Sequence, residues 1–255
     1  MKRNRLALFA LIALVLAVIS RCFQLLSMTE ATTGFILKEY TAFSTAITVF
    51  IFIVILSICL AASLTKIKGF KNEFSYPLLI SSTIAAVAIV FEPITQNYYS
   101  TLPTTVRAFA IALSVASGAV LILFAMSKTG YFKFSNIFLC IPVFCQFLRL
   151  MLAFVSTSKI VTVNDNLYEL GFLCAALMFF VYFAQAHTNS GNEKTPIKAL
   201  VTGVCAASFA VVSAAPKIVA LIIKRSELLY NGTTSAFADI ALGIFVFIAA
   251  LEVEE

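Results

Sequence analysis

Eight apolar stretches follow one another along the chain, at 6–27, 42–62, 76–92, 106–126, 136–155, 168–187, 198–222 and 235–251. Each is close to the roughly 20 residues that a helix needs to cross the hydrocarbon core of a bilayer. Nothing else in the sequence restricts the fold as strongly. Lipid offers no partner for a backbone N–H or C=O, so each stretch must satisfy its own polar groups, and the helix does this within one segment. Short linkers take up the rest of the 255 residues. The sequence therefore predicts an all-α, polytopic transmembrane bundle of eight spans, a single integral membrane domain over 1–255.

Composition excludes the main alternatives. Hydrophobic residues make up 61% and charged residues 12% of the chain, against about 45–50% and about 25% in soluble domains. A soluble enzyme, a disordered tail and a nucleic-acid-binding domain all fall outside that balance. The net charge of +6 has another explanation, because Lys and Arg gather on the cytoplasmic side of membrane proteins. With the N-terminus inside, ten basic residues fall on the inner side and five on the outer, with Arg21, Arg149 and Lys217 inside spans. The expected topology places both termini in the cytoplasm and the protein in a plasma membrane. Tyr40, Tyr98, Tyr99, Tyr168 and Tyr230 are expected at the outer interface, and Tyr76 and Tyr131 at the inner one.

Met1–Arg5 followed by Leu6–Ser20 has the charge and apolarity of a signal peptide, but no A-x-A site follows. A retained first helix is expected. The six cysteines, Cys22, Cys59, Cys140, Cys145, Cys174 and Cys205, all lie in apolar segments without a CxxC, which predicts buried apolar thiols, not disulfides or a metal site. A shift of 128 residues places Arg21 on Arg149 and Tyr40 on Tyr168. Two parallel four-helix repeats, 1–128 and 129–255, and chance similarity between apolar segments both stay open. Ala110, Ser114 and Gly118 of the fourth helix, and Gly203 and Ala207 of the seventh, form small-residue stripes suited to close helix packing.

Ionisable residues inside spans are costly and point to function. Arg21, Glu92, Arg107, Arg149, Glu169, Lys217 and Asp239 all fall in the outer half on the expected map. Arg149 is the deepest, with Gln146 one turn away. Glu169, just across a short outer loop, is its expected partner. Lys217 follows Pro216, which frees the Val212 carbonyl, and Glu92-Pro93 ends the third helix in a similar way. Arg149, Glu169, Lys217, Arg21, Glu92 and Gln146 are the candidate lining of a vestibule for a small anionic or zwitterionic ligand. Asp239 and Glu92 are also placed to mark span ends, and Arg21, Arg107 and Lys217 to snorkel to the interface.

Catalytic signatures are missing. The sequence has no HExxH, Walker A loop, Rossmann glycine pattern or GxSxG elbow, so neither an enzyme nor a cofactor is expected. Its one histidine, His187, is expected to be solvated or capped at the inner interface. Asn231-Gly232-Thr233 is a glycosylation sequon on the expected outer side. Glu252, Glu254 and Glu255 read as a solvated cytoplasmic tail.

Arg149-Leu150, Asn164 to Glu169 and Ala215-Pro216-Lys217 together resemble small bacterial multi-pass membrane proteins. The resemblance implies a polytopic helical fold and no activity. Three readings follow. The first is solute binding from the outer side for transport or sensing. The second is a structural or accessory subunit that docks a membrane-protein partner through its charged rim and the small-residue stripe of the fourth helix. The third is an intramembrane enzyme, which requires two carboxylates converging in a deep cleft.

Overall fold

The computed structural model describes residues 3–30, 36–65, 67, 69–71, 73–95, 99, 102–131, 133–157, 163–188, 190–224 and 234–254. Its long helices are α1 (Arg3–Met28), α2 (Thr41–Ser63), α3 (Tyr76–Thr95), α4 (Thr104–Ser127), α5 (Cys140–Thr157), α6 (Val163–His187), α7 (Thr195–Ile222) and α8 (Thr234–Leu251). These eight match the eight apolar runs. Seven are long and apolar enough to span a membrane among the described residues, and α8 is a shorter apolar helix. At 18 residues and 1.5 Å per residue, α8 is about 27 Å long, just under the hydrocarbon thickness. It packs along α7 and α3, so its ends are held by protein.

Local chemistry marks the helix ends. Pro196 lies in the first turn of α7, where no intrahelical N–H is needed. Pro103 precedes α4. Beyond α7, Lys224 takes a left-handed conformation (φ 59°), a common way to end a helix. Large apolar side chains remain exposed on the bundle surface, among them Leu11, Ile12 and Ile19 of α1, Ile53 and Leu56 of α2, and Ile84 and Phe91 of α3. A bilayer is the solvent that accommodates so much apolar surface. The chain is a multi-pass membrane protein.

Helices α3, α4, α5, α6, α7 and α8 are neighbours in that order, and α8 returns to α3, closing a ring of six. α1 and α2 pack on each other and both lie against α7. The two halves pack unequally. α6 lies along α7, whereas α2, which a 128-residue shift would superpose on α6, packs on α1 and α7.

Small residues set the closest approaches. A Cβ on Gly203 of α7 would come 2.6 Å from the Cβ of Ala250 in α8, and one on Gly243 of α8 would come 2.5 Å from that of Ala210 in α7. The stripe on α4 is spent within the bundle. Ala110, Ser114 and Gly118 are buried, and a Cβ on Gly118 would meet Ala86 of α3 at 3.2 Å. The stripe thus serves helix packing, as its spacing predicts, and is not the partner surface that the accessory-subunit reading required.

We call the end of the bundle holding the α1–α2, α3–α4, α5–α6 and α7–α8 connections distal, and the opposite end proximal. The proximal core is aromatic: Phe179 stacks on Phe183, and Phe124 meets Phe183 edge to face, each at 5.2 Å between ring centroids. His187 is capped, one of the two outcomes expected of it. Its ring lies 4.3 Å from that of Phe183, and Nδ1 is 2.9 Å from the Phe183 carbonyl. The acidic tail is folded down, contrary to expectation. Val253–Glu254 pairs antiparallel with Gly69–Phe70, and Glu252 forms an ion pair with Lys128 at 3.0 Å. The backbone edge of Gly69–Phe70 and the ammonium of Lys128 explain the capture. Glu255, Tyr98, Tyr230 and the Asn231-Gly232-Thr233 sequon lie outside the described residues.

Two interfacial expectations are corrected. Tyr99 and Tyr168 are buried, while Tyr40, Tyr76 and Tyr131 are exposed. Cysteine burial is uneven too. Only Cys145 is fully buried, Cys140 and Cys174 are exposed, and all six are free thiols. An exposed thiol on a lipid-facing helix surface meets acyl chains, where it acts as the same small apolar group.

Candidate functional site

The charged side chains buried among the described residues are Arg21, Glu92, Arg149, Lys217 and Asp239. All five lie in the distal halves of their helices. Arg149 sits eight residues before the end of α5, about 12 Å along the axis at 1.5 Å per residue. At that depth it does not snorkel, being only 4% exposed.

Its guanidinium is held from three sides. Nη1 donates to Gln146 Oε1 of the same helix at 3.0 Å. Nη2 donates to Asp239 Oδ1 of α8 at 3.0 Å and lies 2.7 Å from Glu92 Oε2 of α3. The Glu92 contact is an ion pair whose alignment is poor for a hydrogen bond. Both α3 and α8 face α5 across the ring, since the neighbours of α5 are α4 and α6. The Arg149 side chain thus bridges the interior and ties three helices together.

A second pair stands beside the first. Lys217 Nζ of α7 donates to Glu169 Oε2 of α6 at 3.2 Å. Asp239 lies within electrostatic range of Arg149, Glu169, Glu92 and Lys217 together. Among the described residues, one cluster therefore draws on α3, α5, α6, α7 and α8, and holds three carboxylates against two cations.

Several polar atoms here have no hydrogen-bond partner. They are Gln146 Nε2, Arg149 Nε, Asp239 Oδ2 and, one helical turn from Lys217, Ser213 Oγ. Their residues are 5% exposed or less. Buried polar groups are nearly always hydrogen-bonded, so an unspent set concentrated in one place is unusual. It provides two donor nitrogens, one carboxylate acceptor and a hydroxyl.

The structure changes the pairing expected from sequence. Glu169 serves Lys217, and Arg149 takes Glu92 and Asp239 instead. Helices adjacent in sequence are joined by α5–α6 packing, yet Arg149 faces inward, where α3 and α8 present their acids. Asp239 is no span-end marker. It lies five residues inside α8 and is 1% exposed. A lone acid in the last span, among alanines, was the signal that it has a buried partner. Gln146 is where the i, i+3 spacing put it.

Arg21 lies apart from this cluster. Its guanidinium stacks over Tyr168 of α6, 4.7 Å from the ring centroid, and Nη1 donates to Gln24 Oε1 at 2.5 Å. Gln24 Nε2 in turn reaches Ser44 Oγ at 2.6 Å and Thr48 Oγ1 at 3.1 Å on α2. This polar seam joins α1 to α2, and nothing in the spacing of charges pointed to Gln24. Arg107 is half-exposed, and its Nη2 donates to the Ile94 carbonyl at 3.4 Å, which caps the end of α3.

No grouping of His, Cys, Asp and Glu suited to a metal ion occurs among the described residues. A cleft of about 530 Å³ opens at the proximal end, lined by Phe70, Asn136, Gln185, His187, Asn192 and Thr195, among others. No protein-family model, curated protein or solved structure matches the chain.

Proposed function

We propose that this membrane protein binds a small anionic or zwitterionic solute in the distal half of its bundle, for transport or sensing. The observation that carries the reading is the set of unpartnered polar atoms around Arg149. Five helices bring ionic side chains to one buried place, at a cost that packing alone does not require. Arg149 and Lys217 supply positive potential, and Glu92, Glu169 and Asp239 orient them. Both Glu92 and Asp239 are engaged by one guanidinium nitrogen, which supports binding over acid–base catalysis. The basic-residue asymmetry supports a plasma-membrane topology with both termini cytoplasmic, so that the solute enters from outside.

The test is solvent access. A Gln146→Cys variant is made in a chain whose six native cysteines have been replaced. Membrane-impermeant thiol reagents should label it from the outer side only. A thiol protected from both sides rejects the reading and leaves a dry, structural ion network.

The second reading, a non-catalytic accessory subunit with a membrane-protein partner, is favoured by the Lys217–Glu169 ion pair, which neutralises one cation within the bundle. It predicts the protected thiol.

A further inference from the structure

The charge balance and the unspent atoms together narrow the solute class. Three carboxylates, Glu92, Glu169 and Asp239, face two cations, Arg149 and Lys217. Each cation already has a carboxylate within 3.2 Å. A bare anion entering this place meets three carboxylates for two cations among the described residues, in an interior where like charges repel strongly. A bare alkylammonium balances the surplus but leaves the free N–H groups of Gln146 and Arg149 unserved. A solute with both features serves both kinds of open group. Its ammonium meets Asp239 Oδ2, and an acceptor oxygen meets Arg149 Nε and Gln146 Nε2.

These atoms are close together by construction. Arg149 Nη2 bonds Asp239 Oδ1 and Nη1 bonds Gln146 Oε1. The open oxygen and the open nitrogens thus belong to groups already joined through one guanidinium. A ligand bridging them needs only a short spacer between ammonium and oxygen. Ser213 Oγ, also open, lies on the helix that carries Lys217 and is available to the same ligand.

We infer that the cluster receives a small primary-ammonium compound that also carries an acceptor oxygen, the simple amino acids being the smallest members of that class. This rests on the solute-binding reading above. The ammonium is the specificity element, and Asp239 is the residue that selects it.

The experiment measures thermal unfolding of the full chain in nanodiscs against a defined panel. Glycine, β-alanine, γ-aminobutyrate and glycinamide carry both groups. Propionate lacks the ammonium, and propylammonium lacks the oxygen. At least one bifunctional compound should raise the unfolding midpoint saturably, and neither control should do so at the same concentration. Asp239→Asn should weaken that compound about ten-fold or more, as expected for one lost charge-assisted hydrogen bond. Gln146→Leu, which leaves the charge balance untouched, should weaken it by a smaller factor.

Protection by propionate equal to that by its amino analogue overturns the inference, as does a full response in Asp239→Asn. Failure of every bifunctional compound overturns it as well. The thiol-labelling result then separates the cases. An accessible residue 146 with no response to the panel leaves solute binding standing and removes this solute class. A protected residue 146 removes both.

Discussion

Replacing Arg149 with methionine is the sharpest test of how this bundle is held together. The wild-type guanidinium lies 2.7 Å from Glu92 and 3.0 Å from Asp239. Two unit charges about 4 Å apart interact by about 4 kcal/mol at an effective dielectric of about 20. Arg149→Met forfeits two such attractions and leaves two buried carboxylates facing each other. Structural relaxation limits the damage, and removal of one partner from a buried ion pair costs about 3–5 kcal/mol. Removing all the charges is different. In Arg149→Met/Glu92→Gln/Asp239→Asn no uncompensated charge remains, and such replacements are often neutral or stabilising. Equilibrium denaturation in mixed micelles measures both variants against wild type. The expected order places the single variant well below wild type and the triple variant near it. If the single variant is as stable as wild type, the ion network is not bridging α3, α5 and α8. If the triple variant is as poor as the single one, the destabilisation comes from lost shape and not from stranded charge.

The remaining predictions concern packing, the polar seam and the tail. Gly243→Ala places a Cβ where 2.5 Å separates it from that of Ala210, so it should cost about 1–3 kcal/mol in the same assay. Adding Ala210→Gly should recover much of that loss, and a lack of recovery would falsify the claim that these two residues set the α7–α8 distance. Gln24→Leu removes the acceptor of Arg21 and the donor to Ser44 and Thr48. A loss of about 1–3 kcal/mol is expected from these hydrogen bonds, one of them to a charged group. Lys128→Ala should loosen the C-terminal strand, since Lys128 Nζ holds both Glu252 and the Lys71 carbonyl. Exchange of the Lys71 amide, which donates to the Glu252 carbonyl at 2.9 Å, should speed up roughly five-fold for about 1 kcal/mol lost. Unchanged exchange there means that strand pairing alone holds the tail.

Much of the candidate site was legible in the chain, and the parts that were not share one cause. Arg149, Glu92, Glu169, Lys217 and Gln146 stand out because polar residues in apolar runs are few and each must be accommodated. Their confinement to the distal half is a matter of counting along known spans. Partner choice is another matter. Glu169 looked like the partner of Arg149 because a short loop makes α5 and α6 neighbours, which they are. The direction in which Arg149 faces depends on the rotation of α5 about its own axis, and no local feature encodes that rotation. Arg21 illustrates the same point. It matches Arg149 at a shift of 128 residues, yet it sits on a helix outside the ring and stacks on Tyr168. Tyr168 and Tyr99 lie near helix ends, as interfacial tyrosines do, but are turned inward.

The length and continuity of the apolar runs, read against bilayer thickness, determined the number and approximate bounds of the helices. They did so because an unpaired peptide group in lipid is prohibitive whatever the rest of the chain does. The skew of ionisable residues toward one end was likewise a property of the linear order. Only the tertiary structure decided that six helices close into a ring and that α3 and α8 meet α5 across it. It also decided that Asp239 joins Arg149 and that the acidic tail is strapped down by Lys128. Those outcomes rest on helix rotation and neighbour choice, which side-chain packing between distant segments settles and an apolar pattern within one segment does not.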